Sequence, residues 1–153
     1  MASLLILLPL ALSLLALRRV PAGQVHSVYR GGRVVRLLQP GLRLVWPLLE
    51  QVRHRIDLSG QVLRFEESLP QDGNALRDVR GTVYWQVLEP ARADAVIERV
   101  DQLIRHSARD ALREECVRRM AAPRELGQHL KQLLNAALRE RGMLVTRVEL
   151  ENA

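Results

Sequence analysis

The sequence is poor in the residues that build most active sites and most nucleic-acid surfaces. It has one cysteine, Cys116, so no internal disulfide can form. Two tryptophans, two tyrosines and one phenylalanine are too few for a base-stacking platform, and no nucleic-acid-binding motif accompanies them. The cysteine and the four histidines fall at no spacing that suits zinc. Gly31-Gly32 lies inside a predicted hairpin rather than between a strand and a helix, so no phosphate-cradling loop is present. Lysine is nearly missing as well: 22 arginines stand beside one lysine, Lys131, a skew for which folding supplies no reason.

What the chain has is a long apolar run at its start. Residues 2–17 hold nine leucines and one isoleucine, broken only by Ser3, Pro9 and Ser13, and closed by Arg18 and Arg19. Leu4, Leu5, Ile6, Leu7, Leu8, Leu10, Leu12, Leu14, Leu15 and Leu17 supply its apolar surface. At about −0.3 to −0.6 kcal/mol per central leucine or isoleucine, such a segment favours a bilayer over water. Sixteen residues in helix span roughly 24 Å, short of a hydrocarbon core of about 30 Å. Snorkelling by Arg18 and Arg19 would make up part of the difference, and Pro9 leaves a kinked helix or a re-entrant hairpin open. A cleaved secretory signal is the rival, with Val20-Pro21-Ala22 as its cleavage site. A signal carries its positive charge before the run, whereas here it comes after, so an uncleaved anchor is preferred over a signal or a buried core helix. The same arginine pair predicts a single-pass or hairpin anchor with the rest of the chain cytoplasmic.

Charge is placed unevenly. Up to residue 66, nine arginines face three acids, Glu50, Asp57 and Glu66, an excess of six. Beyond that point thirteen arginines and one lysine balance fourteen acids. The whole excess therefore lies beside the apolar run, where each basic residue near an anionic leaflet contributes about 1 kcal/mol.

Periodicity divides the remainder of the chain. Residues 20–23 form a short hinge. Residues 24–30 and 33–38 alternate around Gly31-Gly32 and predict a β-hairpin. Pro40-Gly41 marks another turn, before an apolar segment at 42–49 that Pro47 interrupts. Strands are predicted at 52–58, 61–65 and 76–88, the last with Val79, Gly81, Val83, Trp85 and Val87 on one face, and a loop at 71–74. After Pro90 the period becomes helical: a short helix at 91–100, one from an Asp101 cap to about Met120, and one from Pro123 with Leu126, Leu130, Leu133, Leu134, Ala137 and Leu138 in a stripe. Gly142 is placed to end it, and a strand at 144–150 closes the domain. Strands, then helices, then a strand predict an α+β fold.

No catalytic constellation converges. His106 and Asp110 are spaced i, i+4 and read as an exposed helix pair with no nucleophile beside them. Cys116 falls on the apolar stripe of its helix and reads as a buried small hydrophobe.

Several motifs, in order, resemble the SPFH or band 7 domain of stomatins, prohibitins and flotillins. They are Val20-Pro21-Ala22-Gly23-Gln24-Val25 after the apolar run, Gly31-Gly32-Arg33 and then Gln39-Pro40-Gly41-Leu42, and Trp46-Pro47-Leu48. Arg55-Ile56-Asp57-Leu58 comes next, lacking the family's closing arginine. Asp78-Val79-Arg80-Gly81-Thr82-Val83-Tyr84 and the final Gly142-Met143-Leu144-Val145 complete the set. The resemblance covers residues 20–151 and predicts an anchor at 1–19, the hinge at 20–23 and an SPFH domain at 24–151. It implies a non-enzymatic scaffold, without cofactor, metal, nucleic acid or small-molecule substrate. Such a scaffold oligomerises at an anionic leaflet and organises or regulates membrane proteins. It implies further that Leu42, Leu44, Trp46, Leu48 and Leu49 contact the bilayer, against the alternative that they pack in the core at a strand end. The family's long coiled-coil tail has no counterpart here. That favours the alternative of a regulatory subunit of one membrane protein, such as a protease, while a cleaved signal peptide would instead make the chain an exported binding module. Arg105, Arg109 and Arg113 form a candidate oligomer face, opposite neighbouring acids such as Glu89, Asp94 and Glu98.

Overall fold

The computed structural model describes residues 2–70, 76–118 and 123–152, with side chains for all of these except 2–6, 76, 115–118, 123 and 152. The chain divides into two compact units, residues 1–59 and 60–153.

The first unit opens with helix α1 (Ala2–Ala16), which runs unbroken through Pro9, so the apolar run does not fold back as a hairpin. The helix ends before the run does. Leu17, Arg18 and Arg19 belong to strand β1 (Leu17–Val20) rather than to a helix end. The physical reason is a backbone partner: β1 pairs antiparallel with β4 (Gly41–Leu44), Leu17 opposite Leu44 and Val20 opposite Gly41. The Val45 N–H extends this ladder by donating to the Ala16 carbonyl at 2.7 Å. Val20, expected in a hinge, is buried with Val28, Leu38 and Val45 in the core of the unit.

The remaining strands of this unit form a sheet in the order β3-β2-β5. Strands β2 (Gln24–Arg30) and β3 (Arg33–Leu38) form the expected hairpin. Gly31 and Gly32 take φ of 59° and 78°, the left-handed pair that a two-residue turn needs. Strand β5 (Gln51–Asp57) covers the other edge of β2. As the middle strand, β2 buries Val25, His26, Ser27 and Val28 in succession, on both of its faces. The register shifts by one residue at Ser27, whose hydroxyl accepts the His54 N–H at 3.2 Å.

The second unit is a sheet in the order β6-β7-β8, backed by helices. Its strands are β6 (Gln61–Pro70), β7 (Leu76–Val87) and β8 (Met143–Asn152), all antiparallel. Strand β6 runs five residues beyond its expected end because β7 pairs with it along its whole length, down to Pro70 opposite Leu76. The alternation read in β7 is the one observed: Val79, Gly81, Val83, Trp85 and Val87 are buried. The expected helix at 91–100 is α2 (Pro90–Ala93) and then a 3-10 turn, Ile97–Arg99. Helix α3 (Val100–Arg118) starts two residues early, so Asp101 lies in the first turn instead of capping it. Helix α4 (Pro123–Arg139) buries Leu130, Leu134 and Leu138, leaving Leu133 exposed.

Asn135 of α4 serves β8 directly. Its amide donates to the Val145 carbonyl at 3.0 Å and accepts the Val145 N–H at 2.8 Å, beside the register shift opposite Tyr84 and Trp85. Gly142, at φ 72°, takes the left-handed conformation expected after α4, and its carbonyl accepts the N–H groups of Leu88 and Glu89, each at 2.9 Å. The expected loop at 71–74 lies outside the described residues, and the Cys116 side chain lies outside those whose side chains are described.

Candidate functional site

Two exposed apolar stretches of the first unit meet where Ala16 bonds Val45. One is α1, which has no polar face: Leu7, Leu8, Leu10, Leu12, Leu14 and Leu15 are exposed, and Ala16 alone of its described side chains is buried. Leu4, Leu5 and Ile6 lie outside the residues whose side chains are described. The other stretch is β4 and the turn after it. Leu42, Leu44, Trp46, Leu48 and Leu49 are all exposed, Leu48 at 87% and Trp46 at 57%. They do not pack in the core at the strand end; Val45 takes that place. A helix apolar on every side normally lies in a core or a membrane, so its exposure here stands out. Fifteen helical residues reach about 22 Å. Among the described residues no helix is long and apolar enough to cross a membrane.

A buried carboxylate shapes the turn. Glu50 is 5% exposed. Its Oε1 accepts from Arg30 at 2.8 Å and its Oε2 from Arg36 at 2.7 Å. Oε2 also receives the Trp46 N–H at 3.3 Å, and the Trp46 carbonyl accepts the N–H groups of Leu49 at 3.2 Å and Glu50 at 2.8 Å. Arg36 reaches further, to the Leu44 carbonyl. Burial alone would raise the Glu50 pKa. The hydrogen bonds from Arg36, Trp46 and Arg30, with the Arg36 charge, outweigh it and hold the carboxyl below its ordinary range. Glu50 therefore stays charged and locks Trp46, Pro47, Leu48 and Leu49 into a defined turn. Sequence reasoning counted Glu50 only as one of three acids. The available signal was a lone acid directly after an apolar turn in an arginine-rich stretch.

In the second unit, Arg105, Arg109 and Arg113 are exposed on α3 as expected, but Arg109 is committed within its own chain. Glu67 receives its Nε at 2.8 Å and its Nη2 at 2.7 Å, and this pairing raises the Arg109 pKa. Asp94, expected to face a neighbouring chain, is 2% exposed and turned inward, and Glu89 pairs with Arg92 at 3.0 Å. An inward carboxylate cannot meet a partner's guanidinium, which removes Asp94 from that surface. His106 and Asp110 form an exposed pair at 3.2 Å. Among the described residues no three His, Cys, Asp or Glu side chains are placed to hold a metal ion.

Antiparallel sheets that give way to two amphipathic helices and a returning strand define an α+β domain, here with a largely exposed apolar helix in front. The chain belongs to the SPFH domain / Band 7 family, whose model matches residues 18–153. It is 28% identical to human stomatin-like protein 2, mitochondrial, over 97 residues, 63% of this chain and 27% of that protein. It is 27% identical over 139 residues to an uncharacterized protein of Mycobacterium tuberculosis strain H37Rv, covering 87% of this chain and 36% of the relative. An uncharacterized protein of Schizosaccharomyces pombe is 25% identical over 140 residues, 87% of this chain and 39% of the relative. The chain thus spans between about a quarter and two-fifths of the length of these relatives.

Proposed function

We propose that this chain is a non-enzymatic, membrane-anchored scaffold of the stomatin and prohibitin type, which oligomerises at the cytoplasmic surface of a membrane and organises or regulates membrane proteins there. The observation that carries the reading is α1, an apolar helix whose described leucines find no core within their own unit. A bilayer is the solvent such a surface prefers. Because α1 is shorter than a hydrocarbon core, it thins the bilayer around it. Trp46, Leu48 and Leu49 add a second contact at the interface, where an indole is favoured, and full burial of a leucine side chain is worth about 1.5–3 kcal/mol.

Alkaline carbonate extraction tests the reading. The full chain is expected in the membrane pellet, and a variant with Leu8→Asp and Leu12→Asp in the supernatant. A full chain released by carbonate overturns it. The Arg109–Glu67 pair favours a second reading for the assembly, since it removes one of three cations from the candidate oligomer face. On that reading the chain acts as a monomer or small oligomer that regulates a single membrane protein, and particle mass in mild detergent separates the two.

A further inference from the structure

The first unit contains a cleft of about 670 Å³ between the end of α1, β1 and β5. Leu15 and Leu17 line it beside Arg18, Arg19 and Arg55. Its one acid is Glu50, whose charge Arg30 and Arg36 already balance. Among the described residues none of the three lining arginines has an acidic partner.

The contrast with the other arginines of this unit is informative. Arg30 and Arg36 hold Glu50. Arg43 donates to the Gln39 and Pro40 carbonyls, and Arg53 lies over the Tyr29 ring at 5.2 Å. Arg33 alone among the remainder has no such engagement with the described residues, and it sits at the hairpin turn, away from the cleft. The β1–β4 register even sets Arg18 directly opposite Arg43, an arrangement of like charges that destabilises a sheet. A cleft whose lining includes three arginines without an acidic partner, beside apolar leucines, has a place for an anion with an apolar body attached. Guanidinium forks match phosphate oxygens in geometry as well as charge. The cleft has no phenylalanine, tyrosine or tryptophan in its lining on which a nucleobase could stack.

We propose that this cleft binds the phosphate of an anionic lipid headgroup, with Arg18, Arg19 and Arg55 as its ligands and Leu15 and Leu17 against the glycerol and acyl portion. The proposal rests on the membrane reading above and specifies which headgroups the surface prefers. His26, also in the lining, has its pKa lowered by burial and by the Arg55 charge, so guanidinium groups carry the charge of the site at neutral pH.

The test compares the full chain on vesicles of phosphatidylcholine alone and of phosphatidylcholine mixed with phosphatidylglycerol. Two variants accompany it: R18Q/R19Q/R55Q in the cleft, and R33Q/R43Q/R53Q, which removes the same charge elsewhere. At roughly fivefold per guanidinium contact, the cleft variant is expected to lose about 100-fold in its preference for the anionic vesicles while still binding the neutral ones. The control is expected to lose clearly less than the cleft variant, because its arginines contribute only diffuse attraction to the leaflet. Equal losses in both variants overturn the site, because diffuse charge then explains the preference. A wild-type chain that binds neither vesicle overturns the membrane reading itself. R55Q alone, on a strand with the rest of the cleft intact, guards against a folding defect in the triple variant and should lose about fivefold. Glycerol phosphate and inorganic phosphate, titrated without vesicles and monitored by phosphorus NMR, identify the source. Saturable binding that the cleft variant abolishes means the phosphate group suffices, and binding on vesicles alone means the lipid body is required. Binding in neither setting overturns the proposal.

Discussion

Trp46 and Glu50 hold each other across one turn. The Trp46 N–H donates to the Glu50 carboxylate at 3.3 Å, and the Glu50 N–H donates to the Trp46 carbonyl at 2.8 Å. The exposed indole is thereby set by a buried charge four residues further on. Glu50→Ala removes the acceptor shared by Arg30, Arg36 and the Trp46 N–H. Both arginines are half exposed and regain water, so the expected loss is about 2 kcal/mol rather than the larger cost of a wholly buried pair. Urea unfolding measures it.

The same carboxylate gives an acid limb to stability. Its folded pKa lies below the unfolded one, so its contribution is complete above the ordinary glutamate range and is lost as pH falls through the depressed folded value. Asp57, lowered by hydrogen bonds from the Ser59 hydroxyl and N–H, acts in the same direction. In a series of melts at falling pH, Glu50→Gln is expected to flatten part of this decline. An unchanged slope would assign the limb elsewhere.

Gly81 lies under the Phe65 ring, opposite it on the neighbouring strand, and a Cβ added there would collide with the ring carbons. Gly81→Ala should cost about 1–3 kcal/mol by overpacking. Gly81→Ala combined with Phe65→Leu should cost less than the two singles summed, because the smaller side chain vacates the space. Thermal melts of the three variants make the comparison.

Tryptophan fluorescence can report on the exposed turn. Trp85 is buried and Trp46 is exposed, so a Trp85→Phe chain carries one indole, at the proposed membrane contact. Added vesicles are expected to shift its emission to the blue, and brominated lipids to quench it. An emission spectrum indifferent to vesicles would remove the turn from the membrane surface.

The oligomer face needs variants that spare the fold. Arg109→Glu places a carboxylate against Glu67 and should lower the melting temperature of the chain itself. Arg105→Glu with Arg113→Glu avoids that pair, and is expected to reduce particle mass in detergent at an unchanged melting temperature. Unchanged mass would exclude these two residues from the interface.

Local chemistry explains which parts of the fold were legible in the sequence. The β2–β3 hairpin comes from Gly31-Gly32 between alternating runs, β7 from its five inward residues, and α4 from leucines at helical spacing. Strands β1 and β4 were not legible, because each is four residues long and is defined by pairing with the other, more than twenty residues away. Leu17, Arg18 and Arg19 therefore read as the end of an apolar run. Strand β2, buried on both faces, hides behind an alternation that suggests one inward side. The exposure of Trp46, Leu48 and Leu49 was one of two readings that stood side by side, but the charge that holds them was not legible, since Arg30, Arg36 and Glu50 converge only in three dimensions.

Helix α1 passes into β1 with no intervening residue, and β1 is stitched to β4 from Leu17 opposite Leu44 to Val20 opposite Gly41. A tether of this kind has no slack. Tension along α1 loads the β1–β4 hydrogen bonds in shear, all at once, and a tilt of the helix turns the ladder with it. Whatever grips the helix thus pulls directly on the strand paired with the one that leads into Trp46, where a slack leash would have had to be drawn taut first.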